Sequence, residues 1–493
     1  MEGAPRVPRC GAGGRGLSKR DRFGGVSAGS EQPTTRWRMA RDESDATPLT
    51  TRDELIEWFA EGEKPAAAFR IGTEHEKVPF YRADRSPVPY AGERGIGALL
   101  DGLRRATGWE PIVDAGRAIG LAGPEGGGAI SLEPGGQFEL SGAPLADVHR
   151  TSLELAQHLD AVRAAGDPLG IGFLTLGASP KWTRAETPVM PKSRYRIMQA
   201  YMPKVGRLGL DMMLRTATVQ VNLDFASEAD MVRKMRVGLA LQPVATALFA
   251  NSPFTDGRPN GFLSYRSEIW RHTDPDRTGM LPRAFEPGFG YEAYADWLLD
   301  VPMYFVKRGE TYHDVSGASF RDLMAGRLAA LPGERATRSD WANHASTAFP
   351  EVRLKRFLEM RGADVGDPGM IAANAAFWVG LLYDAAALDA AIDLIDGWDA
   401  AAREALRAEA PRRGLDAAIA GRSLRDVARE ALSIAEAGLR ARARLDAQGR
   451  DETLHLAPLH AIVAGRTRAE DLLALYAGPW NGSVDPVFEM CAF

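Results

Sequence analysis

Two cysteines in 493 residues, Cys10 and Cys491 at opposite ends, are too few and too far apart for a disulfide framework or a thiolate metal cluster. Such scarcity is usual in a reducing compartment, and the expectation it sets is a cytoplasmic protein. Long apolar runs are missing too: the longest candidate, Val237 to Phe254, is broken by Gln242, Pro243 and Asn251 and falls short of a membrane span. A formal net charge of -5 supplies no basic field for nucleic acid or an anionic lipid surface, so neither is expected among the partners. The chain also lacks a G-x-x-x-x-G-K-[ST] phosphate loop, an H-E-x-x-H and a G-x-S-x-G, and its eight histidines show no tight metal-ligand spacing. Against these absences, 45% hydrophobic and 25% charged residues provide ample material for a large core, either three domains or one large catalytic unit.

The first 45 residues stand apart. Between Met1 and Arg41, eight Arg and one Lys oppose three acids, and no hydrophobic period is present. The reading is a disordered tail over residues 1–45, ahead of a catalytic domain over 46–493. An Arg-rich targeting segment and an over-extended start, with Met39 as the initiator, are both consistent with it. The literal G-x-G-x-x-G at residues 11–16 is discarded because no strand precedes it and no helix follows.

The stretch ISLEPGGQFELS, residues 130–141, sets Glu133 and Glu139 on either side of a Pro-Gly-Gly kink among apolar and small residues. As one extended strand it points both acids to one side, unless Gly135 and Gly136 add a bulge. Buried carboxylates demand counter-charge, and divalent cations supply it. A solvent-facing edge strand with a turn at Pro134-Gly135-Gly136 is the ordinary alternative. In AFRIGTEHEKVPF, Glu74 and Glu76 alternate with His75 and Lys77, a second acidic pair on one strand face, or else a solvated strand end.

Thr51 and Glu54 make a capping box before a short helix. A helix is expected over 144–165, a strand over 170–176, and a helix from Glu228 to about Ala250, followed by a Pro/Gly/Asn-rich loop. Residues 191–206 gather Lys192, Arg194, Arg196 and Lys204 as a basic helix surface. LRTATVQVNLDF sets Thr218, Gln220 and Asn222 on the uncharged polar face of a core strand, suited to gripping a small polar ligand. Residues 263–308 read as a loop region whose Arg266, Trp270, Arg271, Arg277 and Tyr304 suit a carboxylate or a base. In EVRLKRFLEMRGAD, a strand reading puts Glu351, Arg353, Lys355, Glu359 and Arg361 on one face, while a helix reading leaves a narrow apolar stripe. Beyond Phe377 the chain is Ala-rich and helical, over 379–398, 400–409, 423–445 and 467–476. Acids on several strands with dispersed arginines and no phosphate loop point to Mg²⁺-dependent phosphoryl chemistry on a sheet.

Taken in order, IGTEHEKVPF, ISLEPGGQFELSGAP, TVQVNLDF, GLALQPVATALFANSPF, RTGMLP, DVPMYF and FPEVRLKRFLEMRGAD resemble the plant and proteobacterial type of glutamate-cysteine ligase from about Thr51 to Phe493. The resemblance implies an α+β, glutamine-synthetase-like fold: a curved antiparallel sheet forming a funnel, helices packed outside, and a helical C-terminal part. It implies ATP and Mg²⁺ as cofactors, L-glutamate and L-cysteine as substrates, γ-glutamyl phosphate as intermediate, and a monomer or homodimer. By resemblance, Glu74, Glu76, Glu133, Glu139 and Glu359 are Mg²⁺ ligands or their close supports, and Arg361 stabilises the transferring phosphoryl group, with Glu133 and Glu139 central to catalysis. Arg194 and Arg266 match positions for substrate carboxylates, Thr218, Gln220 and Asn222 the floor, Trp270 and Tyr304 the amino-acid pocket, and Arg353 and Lys355 the ATP phosphates. Ala330 and Ala372 stand where the plant pattern has a regulatory disulfide, which implies a bacterial-type, redox-insensitive enzyme. A related carboxylate-amine ligase with another acceptor, a glutamine synthetase using ammonia, and a non-catalytic protein of the same fold remain as alternatives.

Overall fold

Strand β1, Ile71–Tyr81, is where the alternating segment 68–80 comes to rest, and it lies in the middle of the main sheet of the computed structural model, which describes residues 45–124 and 126–493. The tail assigned to 1–45 lies, except for Asp45, outside the described residues. In chain order the remaining strands of that sheet are β2 (Glu110–Asp114), β3 (Arg117–Ala122), β4 (Ala129–Leu132), β5 (Phe138–Ser141), β6 (Ile171–Leu174), β7 (Thr218–Leu223), β8 (Val352–Leu354) and β9 (Leu358–Asp364). Their spatial order is β8-β9-β7-β1-β5-β4-β3-β2, with β6 paired to the far end of β1. Every pairing among them is antiparallel. Among the described residues the edge strands β8 and β2 do not meet, so the sheet stays open.

Alternation makes the sheet two-faced. Val219, Val221, Leu223, Leu358, Met360, Val352 and Leu354 are buried in the main core. The helix Glu228–Leu248 lies against this face, with Gly238 close to the side chains of Met360 and Val352. Beside it, in the helix Pro368–Leu382, Asn374 donates to the Val219 carbonyl at 3.3 Å. The acids and arginines go to the opposite face.

Four sequence expectations are corrected by the backbone. Residues 130–141 form a buried hairpin, β4 and β5, so the single-strand reading gives way to the alternative turn, though not to its solvent-facing edge: the Glu133 amide donates to the Gln137 carbonyl at 2.9 Å and the chain reverses through Pro134-Gly135-Gly136. Residues 351–364 likewise form the hairpin β8–β9, because the backbone folds back where Lys355 N donates to Phe357 O at 2.9 Å. The supposed loop region 263–308 holds two helices, Tyr265–Arg271 and Tyr291–Asp300. The single helix expected over 379–398 is two, Pro368–Leu382 and Ala385–Leu394, bent by 92° where Asp384 caps Ala387. Elsewhere the expected helices are displaced by a few residues at their ends: Arg52–Ala60 behind the Thr51 capping box, Val148–Gly166, Ala400–Arg413, Leu424–Arg442 and Arg468–Ala477.

Candidate active site

Cross-strand pairing assembles the polar face. Glu76 of β1 sits opposite Glu139 of β5, which sits opposite Ser131 of β4. On the other side Glu74 pairs with Gln220 of β7, and Asn222 lies between Gly72 of β1 and Glu359 of β9. Glu359 in turn faces Arg353 of β8. Directly paired residues share a face, so Arg353, Glu359, Asn222, Gln220, Glu74, Glu76, Glu139 and Ser131 form one polar band across five neighbouring strands and β8. Glu133 keeps the same parity because the hairpin reverses symmetrically about residues 133–137, and its Oε1 lies 3.4 Å from the Tyr195 hydroxyl.

The band has an acidic end and a neutralised end. Glu74 and Glu139 are buried, and Glu76 is half-buried. Gln220 Nε2 and Asn222 Nδ2 each donate to Glu74 at 2.9 Å, the Thr218 amide donates to Glu76 at 3.0 Å, and Ser131 Oγ to Glu139 at 2.6 Å. These neutral donors do not balance the charge. Burial, then Glu359 and Glu139, push the Glu74 carboxyl up to about 8; burial, Glu139 and Glu133 raise Glu76 well above its ordinary value; burial and Glu133 raise Glu139. Glu359 is the opposite case. Burial alone would raise it, but Arg353, Lys355 and Arg361 together hold it below the ordinary carboxylate range. Arg353 Nη2 donates to both its oxygens at 2.8 Å, Lys355 Nζ lies 3.1 Å away, and Arg361 also donates to it.

Thr218, Gln220 and Asn222 were expected to line a ligand floor; here two of the side chains and one amide hold acids in place, while Thr218 Oγ1 donates to the Ala363 carbonyl at 2.9 Å. Arg266 is 2% exposed and donates through Nη2 to the Arg361 carbonyl at 2.8 Å. With Trp270 and Arg361 it lines a small cleft beside the band. Tyr304 does not line that cleft: it is fully buried, with the Arg277 guanidinium 3.8 Å above its ring. Arg194 lies over the Tyr195 ring, on the Glu133 side. Behind the sheet Lys77 is buried with its Nζ 2.8 Å from His158 Nε2 and 3.1 Å from the Phe138 carbonyl, so TEHEK is no solvated strand end.

Sequence reasoning passed over Lys192 and Tyr195 as parts of a basic helix surface, although both are buried, Lys192 donates to the Tyr195 hydroxyl at 3.1 Å and that hydroxyl donates to the Leu132 carbonyl at 2.6 Å. The aromatic residue among the cations was the available signal. Among the described residues no three acids or histidines are drawn together as a ready metal cage. The donor set still fits Mg²⁺, since hard carboxylate oxygens that repel one another are what this cation shares with bound phosphates.

A family model described as glutamate-cysteine ligase family 2 matches residues 70–490. The chain is 53% identical over 445 residues to the chloroplastic glutamate–cysteine ligase of Arabidopsis thaliana, covering 90% of this chain and 83% of that one. It is 51% identical over 444 residues to chloroplastic glutamate–cysteine ligase B of Oryza sativa subsp. japonica, covering 90% and 87%. The crystal structure of the Francisella tularensis glutamate–cysteine ligase in complex with AMP shares the fold, with a TM-score of 0.50 at 13% identity over 87% of this chain and 88% of that one. The cytoplasmic expectation drawn from cysteine scarcity is overturned by these plant relatives, which are plastid proteins. A low cysteine count does not separate one reducing compartment from another.

Proposed function

The chain belongs to glutamate-cysteine ligase family 2, and from that membership we propose that it uses ATP to join the side-chain carboxylate of L-glutamate to the amine of L-cysteine, giving γ-glutamylcysteine, ADP and phosphate. A carboxylate is a poor electrophile, so the γ-phosphoryl group of ATP first passes to the glutamate side chain. The cysteine amine then attacks the acyl phosphate, a carbon–nitrogen bond forms, and phosphate leaves with the carboxyl oxygen it was bonded to. The proton lost from the amine leaves the new amide neutral.

The observation that carries this reading is the sorting of charge along one sheet face. Glu74, Glu76, Glu139 and Glu133 crowd their carboxyl groups together at one end, and Arg353, Lys355 and Arg361 converge on Glu359 at the other. The acidic end would hold Mg²⁺ jointly with the nucleotide phosphates, and the ion supplies charge neutralisation there. Glu359 has both oxygens engaged by cations, so its role is to orient Arg353, Lys355 and Arg361 rather than to ligate metal. Those three cations face the transferring phosphoryl group, and the loss of one such contact costs about 10²–10³ in rate. Gln220, Asn222 and Ser131 keep the acids in place between turnovers.

The test is ADP release by the purified full chain with ATP, Mg²⁺ and glutamate, in the presence and absence of cysteine. ADP should appear in step with γ-glutamylcysteine and depend on both amino acids. Equal release with ammonia or another amine in place of cysteine would assign a different acceptor, and no release with any amine would leave only a binding protein of this fold.

A further inference from the structure

The cleft beside Trp270 has a wall from the C-terminal helical part of the chain. Besides Arg266, Trp270 and Arg361, it is lined by Phe349, Glu351 and Arg407, the last from the helix Ala400–Arg413. It is a small cleft, open to solvent at its mouth.

The chemistry of its lining is lopsided. Arg266 Nε, Trp270 Nε1 and Arg407 Nη2 are buried donors with no acceptor. Unmet buried donors are costly, so three of them around one cleft call for a ligand rich in acceptor oxygens. Glu351 is the single acid among the lining residues, and its Oε1 accepts from Arg407 Nε at 2.9 Å. Both side chains are only 11% exposed. Gly279, whose carbonyl accepts from the Glu351 amide at 2.9 Å, adopts φ +111°, where a side chain is disfavoured, and a Cβ there would lie 3.8 Å from Arg407 Nη1. Glycine thus leaves space open beside the guanidinium. Fixed cation, fixed anion and open space together match the head group of a zwitterionic α-amino acid.

We propose that Arg407 is a substrate-binding residue that grips the α-carboxylate of glutamate, while Glu351 beside it receives the α-ammonium. The assignment rests on the ligase reading above. Glutamate is favoured over cysteine because its head group takes no part in the reaction, whereas an ammonium held by Glu351 is withheld from attack. Arg266 and Trp270 then donate to the same carboxylate or to the chain beyond it.

Initial-rate kinetics with each substrate varied in turn, on the full chain and on Arg407→Ala, Arg407→Lys and Glu351→Gln, test the proposal. Arg407→Ala should raise KM for glutamate by about 10- to 100-fold and leave KM for ATP and for cysteine within about threefold. Arg407→Lys, which keeps the charge and loses the fork, should recover part of the effect and stands in if the alanine variant does not fold. An unchanged KM for glutamate, a rise confined to cysteine, or an equal rise in all three constants would overturn it. Calorimetric titration of glutamate into the same proteins needs no turnover and reads the same contrast. A parent chain that binds glutamate through Arg407 yet makes no γ-glutamylcysteine would sink the ligase reading and leave this site standing.

Discussion

Glu154 illustrates how a single buried carboxyl can set the pH response of the molecule. It sits on the helix Val148–Gly166, where Oε1 accepts from the Ala143 amide at 2.8 Å and Oε2 is buried with no partner. Burial raises its carboxyl from the ordinary 4.5 to about 7. The folded chain therefore keeps a proton that the unfolded chain releases, and stability contributed below the lower value is lost as pH rises to the upper one. Discounted for its partly exposed stem, the loss is on the order of 2 kcal/mol. Glu154→Gln is the neutral isostere, so melting temperatures of variant and parent should coincide near pH 4 and diverge in favour of the variant by pH 8; a difference constant with pH would refute the assignment. At this scale the residue types of the candidate site were legible in the sequence: acids and cations alternating with apolar residues announced Glu74, Glu76, Glu139, Glu359 and Arg361. Their relations were not. Nothing in the local pattern says that Asn222 and Gln220 are spent on Glu74, because those contacts join strands over a hundred residues apart, and the convergence of Arg353, Lys355 and Arg361 on Glu359 depends on the turn between β8 and β9.

Elements were read well where a period and a cap agreed, and poorly where the chain reverses. Thr51, Ser423 and Thr467 each cap a helix that the sequence placed to within a few residues. Residues 130–141 read as one strand or as a strand with a turn at Pro134-Gly135-Gly136, and 351–364 as a strand or a helix, and neither hairpin is fixed by the pattern because alternation continues unbroken through a symmetric turn: Glu133 and Glu139, or Arg353 and Glu359, share a face in either arrangement. That accident of parity is why the acidic band was anticipated on a wrong backbone. Packing of elements was invisible, and the crossing of Pro368–Leu382 with Leu424–Arg442 shows why. A Cβ on Gly438 would stand 2.0 Å from the Gly380 carbonyl oxygen and 2.9 Å from Ala387 Cβ, so the two helix backbones touch through paired glycines. Neither backbone can yield without moving its helix. Gly438→Ala should cost about 3 kcal/mol or more and lower the melting temperature by several degrees, while KM for every substrate of the folded fraction stays unchanged, since the crossing lies behind the sheet. Calorimetry paired with kinetics checks it, and a selective rise in one KM would show the crossing to be coupled to the site.

For the whole molecule, a run of motifs in order over more than four hundred residues made the family legible, and the family model spans residues 70–490. The compartment was not legible, since cysteine count reports redox tolerance rather than address. The same count does support one statement about regulation. A thiol switch needs two cysteines whose sulfurs meet, and the positions that the resemblance assigns to the plant-type pair hold Ala330 and Ala372. Ala330 is exposed in a turn and Ala372 is buried in the helix Pro368–Leu382, and neither carries sulfur. Of the two cysteines present, Cys10 lies outside the described residues. The Cys491 thiol is pushed up to about 11 by burial, which starves it of the thiolate needed for exchange. Activity should therefore be the same, to within about a fifth, after incubation with dithiothreitol or with oxidised glutathione, and Cys491→Ser should behave like the parent in both. Reductive loss of most of the activity would mean that Cys10 takes part in a bridge, either to Cys491 or to a second chain, and non-reducing electrophoresis of the oxidised protein would tell those two apart.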